Sequence, residues 1–398
     1  MINVEKSTLD PVRKIKWLGF VFDLEQRKIQ IPLVKQQETL LFIEQVLADK
    51  NPSTRMLASV IGKITALYRA LGNIVYLKTK YSQFEIAVRP TWQYRSVLNQ
   101  ETIAELEFWF KSLASLPRVE IWPTKVYNRI VFSDASNSAA GGFVVDVNNS
   151  CFVPWTGNEA TQSSTWREVK AVQYMCTSHK TLLSNSVVKW YSDNQNVEKV
   201  IARGSMKQVL QELAVQIFQF CAENNIQIDF VWIPRTENTK ADAISKFVDF
   251  DDWGVSERIS NFCQRRWGNC SLDAFANGQN SKNVRFYSKF WCPNTLGVDA
   301  FAFSWVGEHV WLVPPLHLIG KVIAKVKQDK CTGILVFPKW VSAAFWPLIH
   351  TGSTYIPIVK DFLEYANPRN FFIPGTCKKS VFANETFKGA VVVVRLAP

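Results

Sequence analysis

Phe132-Ser133-Asp134-Ala135-Ser136 closes an apolar, strand-like run with an acid and small residues, and Trp190-Tyr191-Ser192-Asp193-Asn194 closes a second run with another acid. Between them, Thr165-Trp166-Arg167-Glu168-Val169-Lys170 lies in a stretch of helical spacing. After them, Asn238-Thr239-Lys240-Ala241-Asp242-Ala243 opens one more. Working outward, strands are expected over Val126–Phe132, Gly141–Asp146, Val187–Ser192 and Ile226–Ile233. Helices are expected over Ser164–His179, Asn194–Ala202, Gln208–Glu223 and Asn238–Phe247. Antiparallel strands followed by βαβ units predict an α/β domain with a mixed sheet. In that sheet the strands carrying Asp134 and Asp193 are neighbours, so the two acids stand side by side, with Glu168 and Asp242 facing them from helices.

Converging carboxylates have a chemical use. Hydrolysis of a phosphodiester needs an ionised water and a stabilised leaving oxygen, and two divalent ions about 3.5–4 Å apart supply both when acids hold them. Hard ions such as Mg²⁺ prefer oxygen ligands and retain several waters.

The Asp–Glu–Asp–Asp order, the small residues after Asp134 and the Asn238–x–x–Ala241–Asp242 ending resemble a type 1 ribonuclease H, and the resemblance covers residues 126–248. It implies an enzyme that hydrolyses the RNA strand of an RNA–DNA hybrid on two Mg²⁺ or Mn²⁺ ions. Asp134, Glu168 and Asp193 would be the main ligands, with Asp242 completing the site. Asn238 would help grip the RNA backbone, and Ser136 and Arg235 are further candidates for contact with nucleic acid. One departure stands out. Many cellular members carry a His before the last helix, whereas this loop reads Ile233-Pro234-Arg235-Thr236-Glu237. In the family that His assists release of product or metal, so its absence implies slower turnover.

Composition frames this centre. The 398 residues are 47% hydrophobic and 20% charged, which suits several packed domains and excludes a disordered chain. The formal charge of +12 is carried by the flanks: residues 1–125 hold 18 Lys+Arg against 12 Asp+Glu, residues 127–248 hold 11 against 11, and the remainder 17 against 11. Basic flanks suit a polyanion partner, because each phosphate contact releases counterions. The eight cysteines include no Cys-x-x-Cys pair, which argues against a zinc site and for a reducing compartment. The charged start lacks a secretory stretch and no apolar run is long enough for a bilayer, so the expected location is intracellular, cytoplasmic or nuclear, with no membrane partner.

Ahead of the centre, residues 1–125 read as a strand Ile15–Phe22, a charged turn, a strand Lys28–Pro32 and then mainly helices, with Ser53 as a helix cap and a further helix over Thr102–Leu113. The Trp17-Leu18-Gly19-Phe20 segment resembles the strand after the polymerase palm in retroelement reverse transcriptases, which implies a thumb- or connection-like domain. No polymerase acids are present, since Asp251-Asp252 lies beyond the central part. The chain therefore reads as the back half of a longer polyprotein or a truncated copy, with an upstream polymerase region as its expected partner.

Residues 255–398 alternate short strands (Cys270–Phe275, Val310–Val313, Gly333–Phe337) with a helix over Leu318–Lys327, the pattern of a parallel, Rossmann-like layer. The runs Ser271-Leu272-Asp273-Ala274-Phe275-Ala276, Val298-Asp299-Ala300-Phe301, Val313-Pro314-Pro315-Leu316 and Phe337-Pro338-Lys339-Trp340 resemble the methyltransferase-like domain of DIRS-type, tyrosine-recombinase retrotransposons. Val313 and Leu316 stand where adenine methyltransferases carry a polar residue and an aromatic, and no Gly-rich loop is present. Neither S-adenosylmethionine nor methyl transfer is therefore expected. The alternative functions are a non-catalytic nucleic-acid-binding fragment, which retention of all four acids opposes, and a methyltransferase. A DNA integrase would show its Glu in a late helix and often a His/Cys zinc module.

Overall fold

The structure, a computed structural model, describes residues 8, 10–145, 149–250, 252–366, 368, 370–375, 382, 387 and 389–398. Asp146, Asp251 and Cys377 lie outside the described residues. Contacts divide the chain into two units. One comprises Met1–Asn128, Asn185–Val187 and Asn194–Trp232, and the other Arg129–Ser184, Val188–Asp193 and Ile233–Pro398.

The first unit opens with three antiparallel strands, β1 (Lys14–Trp17), β2 (Phe20–Asp23) and β3 (Lys28–Gln30). The expected single strand Ile15–Phe22 is thus a hairpin. Trp17 faces Phe20 across Leu18 and Gly19, whose φ values of 47° and 78° are both positive. That pair is the signature of a primed two-residue turn, which matches the twist of its strands. The helices α1 (Leu33–Ala48), α2 (Thr54–Thr65), α3 (Lys80–Val88) and α4 (Gln100–Ser112) follow. Ser53 caps α2 by accepting from Met56 N at 3.2 Å, and Leu57, Val60, Ile61 and Ile64 form its buried stripe.

The central segment supplies β4 (Arg129–Ala135), β5 (Ala139–Val144), β6 (Asn149–Pro154), α5 (Ser164–Ser178) and β7 (Val187–Ser192). In the sheet β6, β5, β4 and β7 are successive neighbours; β4 runs antiparallel to β5 and parallel to β7, with Phe132 opposite Tyr191. Strand β6 was not expected, because its apolar core, Cys151-Phe152-Val153, is only three residues between polar residues and Pro154. Helices α6 (Gln195–Arg203) and α7 (Gln208–Glu223) and strand β8 (Gln227–Trp232) belong to the first unit, and α8 (Thr239–Ser245) returns to the second.

In the rest of the second unit, α9 (Glu257–Trp267) precedes β9 (Leu272–Asp273), β10 (His309–Leu312), α10 (Ile319–Asp329), β11 (Thr332–Pro338), β12 (Val359–Tyr365) and β13 (Val391–Leu396). Sheet order is β9-β10-β11-β13-β12. The first three strands are parallel as expected, but β13 runs antiparallel to both β11 and β12. The sheet is therefore mixed rather than a parallel layer. The seven described cysteines are free, and no helix among the described residues is long and apolar enough to cross a membrane.

Candidate metal centre

Parallel pairing of β4 with β7 brings the carboxyl ends of both strands to one edge of the sheet, and this is what places the acids. Asp134 lies one residue before the end of β4 and Asp193 directly follows β7. Glu168 comes from α5, whose start is fixed by Ser163 accepting from Trp166 N at 3.2 Å. The helix lies close on the sheet because Gly142 has no side chain there: a Cβ would sit 2.6 Å from Met175 Sδ. Asp134, Glu168 and Asp193 each offer one carboxylate oxygen such that all three atoms lie within 4.8 Å of one another.

Three carboxylates this close resist ionisation together. Burial, then the charges of Asp134 and Asp193, push Glu168 well above the usual carboxylate range. Burial also raises Asp134, against a hydrogen bond from Ser245, and raises Asp193, against the nearby Arg235 and Lys246. Glu168 Oε2 is buried without a hydrogen-bond partner. An orphaned buried oxygen is costly, and a cation at the cluster would satisfy it while reversing all three shifts. The oxygen-only donor set fits a hard divalent ion such as Mg²⁺ or Mn²⁺, so the residues present suit the expected metal.

The fourth acid is placed differently. Asp242, in α8, stands outside this group of three. Its Oδ1 accepts from Arg235 at 2.7 Å and from Lys246 at 2.6 Å, and its Oδ2 accepts from Lys246 at 2.6 Å. Lys246 above all, with Arg235, holds its carboxyl below the ordinary range. Its charge still reaches Asp134 and Asp193, raising both. The two cations are largely exposed beside the acid edge.

Of the residues expected to touch nucleic acid, Arg235 is exposed and Ser136 half-buried. Ser136 Oγ donates to the Ser245 carbonyl at 2.6 Å. Asn238 is 1% exposed; its amide donates to the Ser133 carbonyl at 3.0 Å, and its Oδ1 has no partner. That bond ties the start of α8 to β4. Sequence reasoning missed Ser245, whose Oγ donates to Asp134 Oδ2 at 2.5 Å, and it missed Lys246. A lone Ser or Lys late in a short helix carries no signal of either contact.

A separate cavity of about 860 Å³ lies beyond the carboxyl ends of β9 and β10, lined among others by Phe275, Asp299, Phe301, Val313 and Lys321. None of the four acids lines it.

No family model and no curated protein matches the chain. Among solved structures, ribonuclease H1 from the halophilic archaeon Halobacterium salinarum NRC-1 is similar at 18% identity over 29% of this chain and 92% of that one, with a TM-score of 0.24. LC11-RNase H1, isolated from compost, is similar at 17% identity over 30% of this chain and 93% of that one, TM-score 0.25. The foamy viral protease-reverse transcriptase in complex with RNA/DNA hybrid is similar at 12% identity over 61% of this chain and 33% of that one, TM-score 0.25. At TM-scores of this size the likenesses add nothing to the site's own geometry.

Proposed function

We propose that the chain is a ribonuclease H that hydrolyses the RNA strand of RNA–DNA hybrids, with Asp134, Glu168 and Asp193 as the ligands of a divalent metal centre. The observation that carries this reading is their convergence: three acids far apart in sequence offer oxygens within 4.8 Å of one another, and Glu168 carries a buried oxygen without a hydrogen-bond partner. Two divalent ions bound to such a carboxylate set supply an ionised water and stabilise the leaving oxygen of a phosphodiester.

The chain's own groups do the rest. Asp134 and Glu168 are buried and hold their positions, while Asp193 is half-buried and faces the open edge. Arg235 presents an exposed guanidinium beside the cluster, suited to bidentate contact with a phosphate of the bound strand. Asp242 adds its charge to the cluster from within the Arg235–Lys246 pair. With no His in the loop 233–237, the chain has no imidazole there to move a proton or help product leave, and slow turnover is expected.

In this reading residues 126–248 form the nuclease, the basic residues 1–125 hold the hybrid as a thumb- or connection-like part, and an upstream polymerase region is the partner. Residues 255–398 correspond to the methyltransferase-like domain of DIRS-type elements and transfer no methyl group. The test is a substrate panel with the whole chain and Mg²⁺ or Mn²⁺. RNA paired with DNA is cut, and single-stranded RNA and duplex DNA are left intact. Equal cleavage of single-stranded RNA would overturn the assignment.

A further inference from the structure

We propose that Ser245 is a positioning residue for Asp134: its hydroxyl fixes one carboxylate oxygen and leaves the other to the metal centre. This rests on reading the acid cluster as a metal centre. Ser245 is fully buried, and its Oγ has two acceptors in reach, Asp134 Oδ2 at 2.5 Å and the Asp242 carbonyl at 3.0 Å, one turn back in the same helix. A hydroxyl has one proton. The usual fate of a Ser inside a helix is a bond to its own preceding turn. Here the carboxylate is the shorter contact and the charged one, so it takes the proton.

Two further features aim the hydroxyl. Ser136 Oγ, two residues beyond Asp134 in the chain, donates to the Ser245 carbonyl at 2.6 Å, so the same short stretch grips Ser245 at backbone and side chain. Strand β5 passes beneath with Gly141, where a Cβ would lie 2.2 Å from Ser245 N and 2.6 Å from its Cα. The helix therefore rests directly on the sheet backbone, and Ser245 is held at hydrogen-bond range of the acid. Helix α8 thus serves the centre twice: with the charge of Asp242 and with a neutral donor that stops the Asp134 carboxylate from turning. Donors behind a metal ligand typically govern metal affinity by about 10- to 100-fold.

The experiment is calorimetric titration of the metal-stripped whole chain with Mn²⁺, without nucleic acid, for wild type, Ser245→Ala, Ser245→Cys and Asp134→Asn. Ser245→Ala is expected to raise the Mn²⁺ dissociation constant about tenfold in a protein that is still folded, its melting temperature lowered only by the lost hydrogen bond. Ser245→Cys keeps the shape with a weaker donor and is expected to fall between the two, and it decides the matter if the Ala variant does not fold. A merely structural Ser245 would shift melting without moving Mn²⁺ affinity. Wild-type Mn²⁺ affinity in the folded Ser245 variants, with loss of binding in Asp134→Asn, would overturn the proposal and leave the metal centre standing. Undiminished binding in Asp134→Asn would remove the metal centre itself.

Discussion

Glu168 concentrates the conflict on which the site depends. It is 7% exposed, it has a buried oxygen with no partner, and two further carboxylates stand against it. Its carboxyl is raised well above the ordinary range. A raised acid favours the folded state below its unfolded pKa, and that contribution is lost as pH rises through the folded value. Without metal, the ionised form of Glu168 is therefore a burden on the fold that grows as pH rises. Glu168→Gln is expected to melt higher than wild type in metal-free buffer at about pH 8, with the difference shrinking toward about pH 4, where the wild-type acid is protonated too. Added Mn²⁺ should raise the wild-type melting temperature more than that of the variant. Scanning calorimetry at both pH values checks this, and a variant that melts lower than wild type at the higher pH would show that Glu168 is stabilised by something other than a cation. The convergence of Asp134, Glu168 and Asp193 was legible in the sequence, since they mark two strand ends and a helix face. The Arg235–Asp242–Lys246 cluster was not, because an ion pair depends on rotamers that no spacing specifies.

At the scale of elements, α8 and its bed on β5 decide whether the centre assembles. Gly141→Ala would place a Cβ 2.2 Å from Ser245 N and 2.8 Å from the Ile244 carbonyl carbon, both backbone atoms that cannot rotate away. Overpacking of this kind costs about 1–3 kcal/mol, and a shifted α8 would carry Ser245 and Asp242 away from Asp134. The expected outcome is a lower denaturant midpoint together with weaker Mn²⁺ binding. An unchanged midpoint would mean that helix and strand are not in contact as described. Elements with strong periodicity were readable to the residue, as in β7 (Val187–Ser192) and α7 (Gln208–Glu223). The hairpin at Leu18–Gly19 was not, because Leu rarely takes a positive φ and the run around it reads as one apolar strand. Strands β12 and β13 carry little signal for different reasons: β12 alternates half-buried and exposed residues through charged positions, and Val391–Val394 is a short, fully buried apolar run with no alternation.

Across the whole molecule, local reading and long-range bonding diverge most. Helices α6 and α7 follow β7 in sequence yet pack in the first unit. There Gln211, fully buried, donates to the Leu77 carbonyl at 2.9 Å across 134 residues, and Arg203 Nε donates to Asn73 Oδ1 at 3.2 Å. Composition marks where charge changes along a chain, but it carries no trace of which distant carbonyl a buried amide will find. The functional reading instead rests on a cluster within one unit, where the pairing of β4 with β7 and the helix α5 laid on the sheet bring three acids together. The most direct measurement is cleavage of a labelled RNA strand paired with DNA by the whole chain in Mg²⁺, compared with Asp134→Asn, a substitution that keeps shape and removes one ligand charge. The account predicts cleavage by the wild type and a loss of about two orders of magnitude or more in the variant, with hybrid binding retained. Cleavage by Asp134→Asn at the wild-type rate would contradict it.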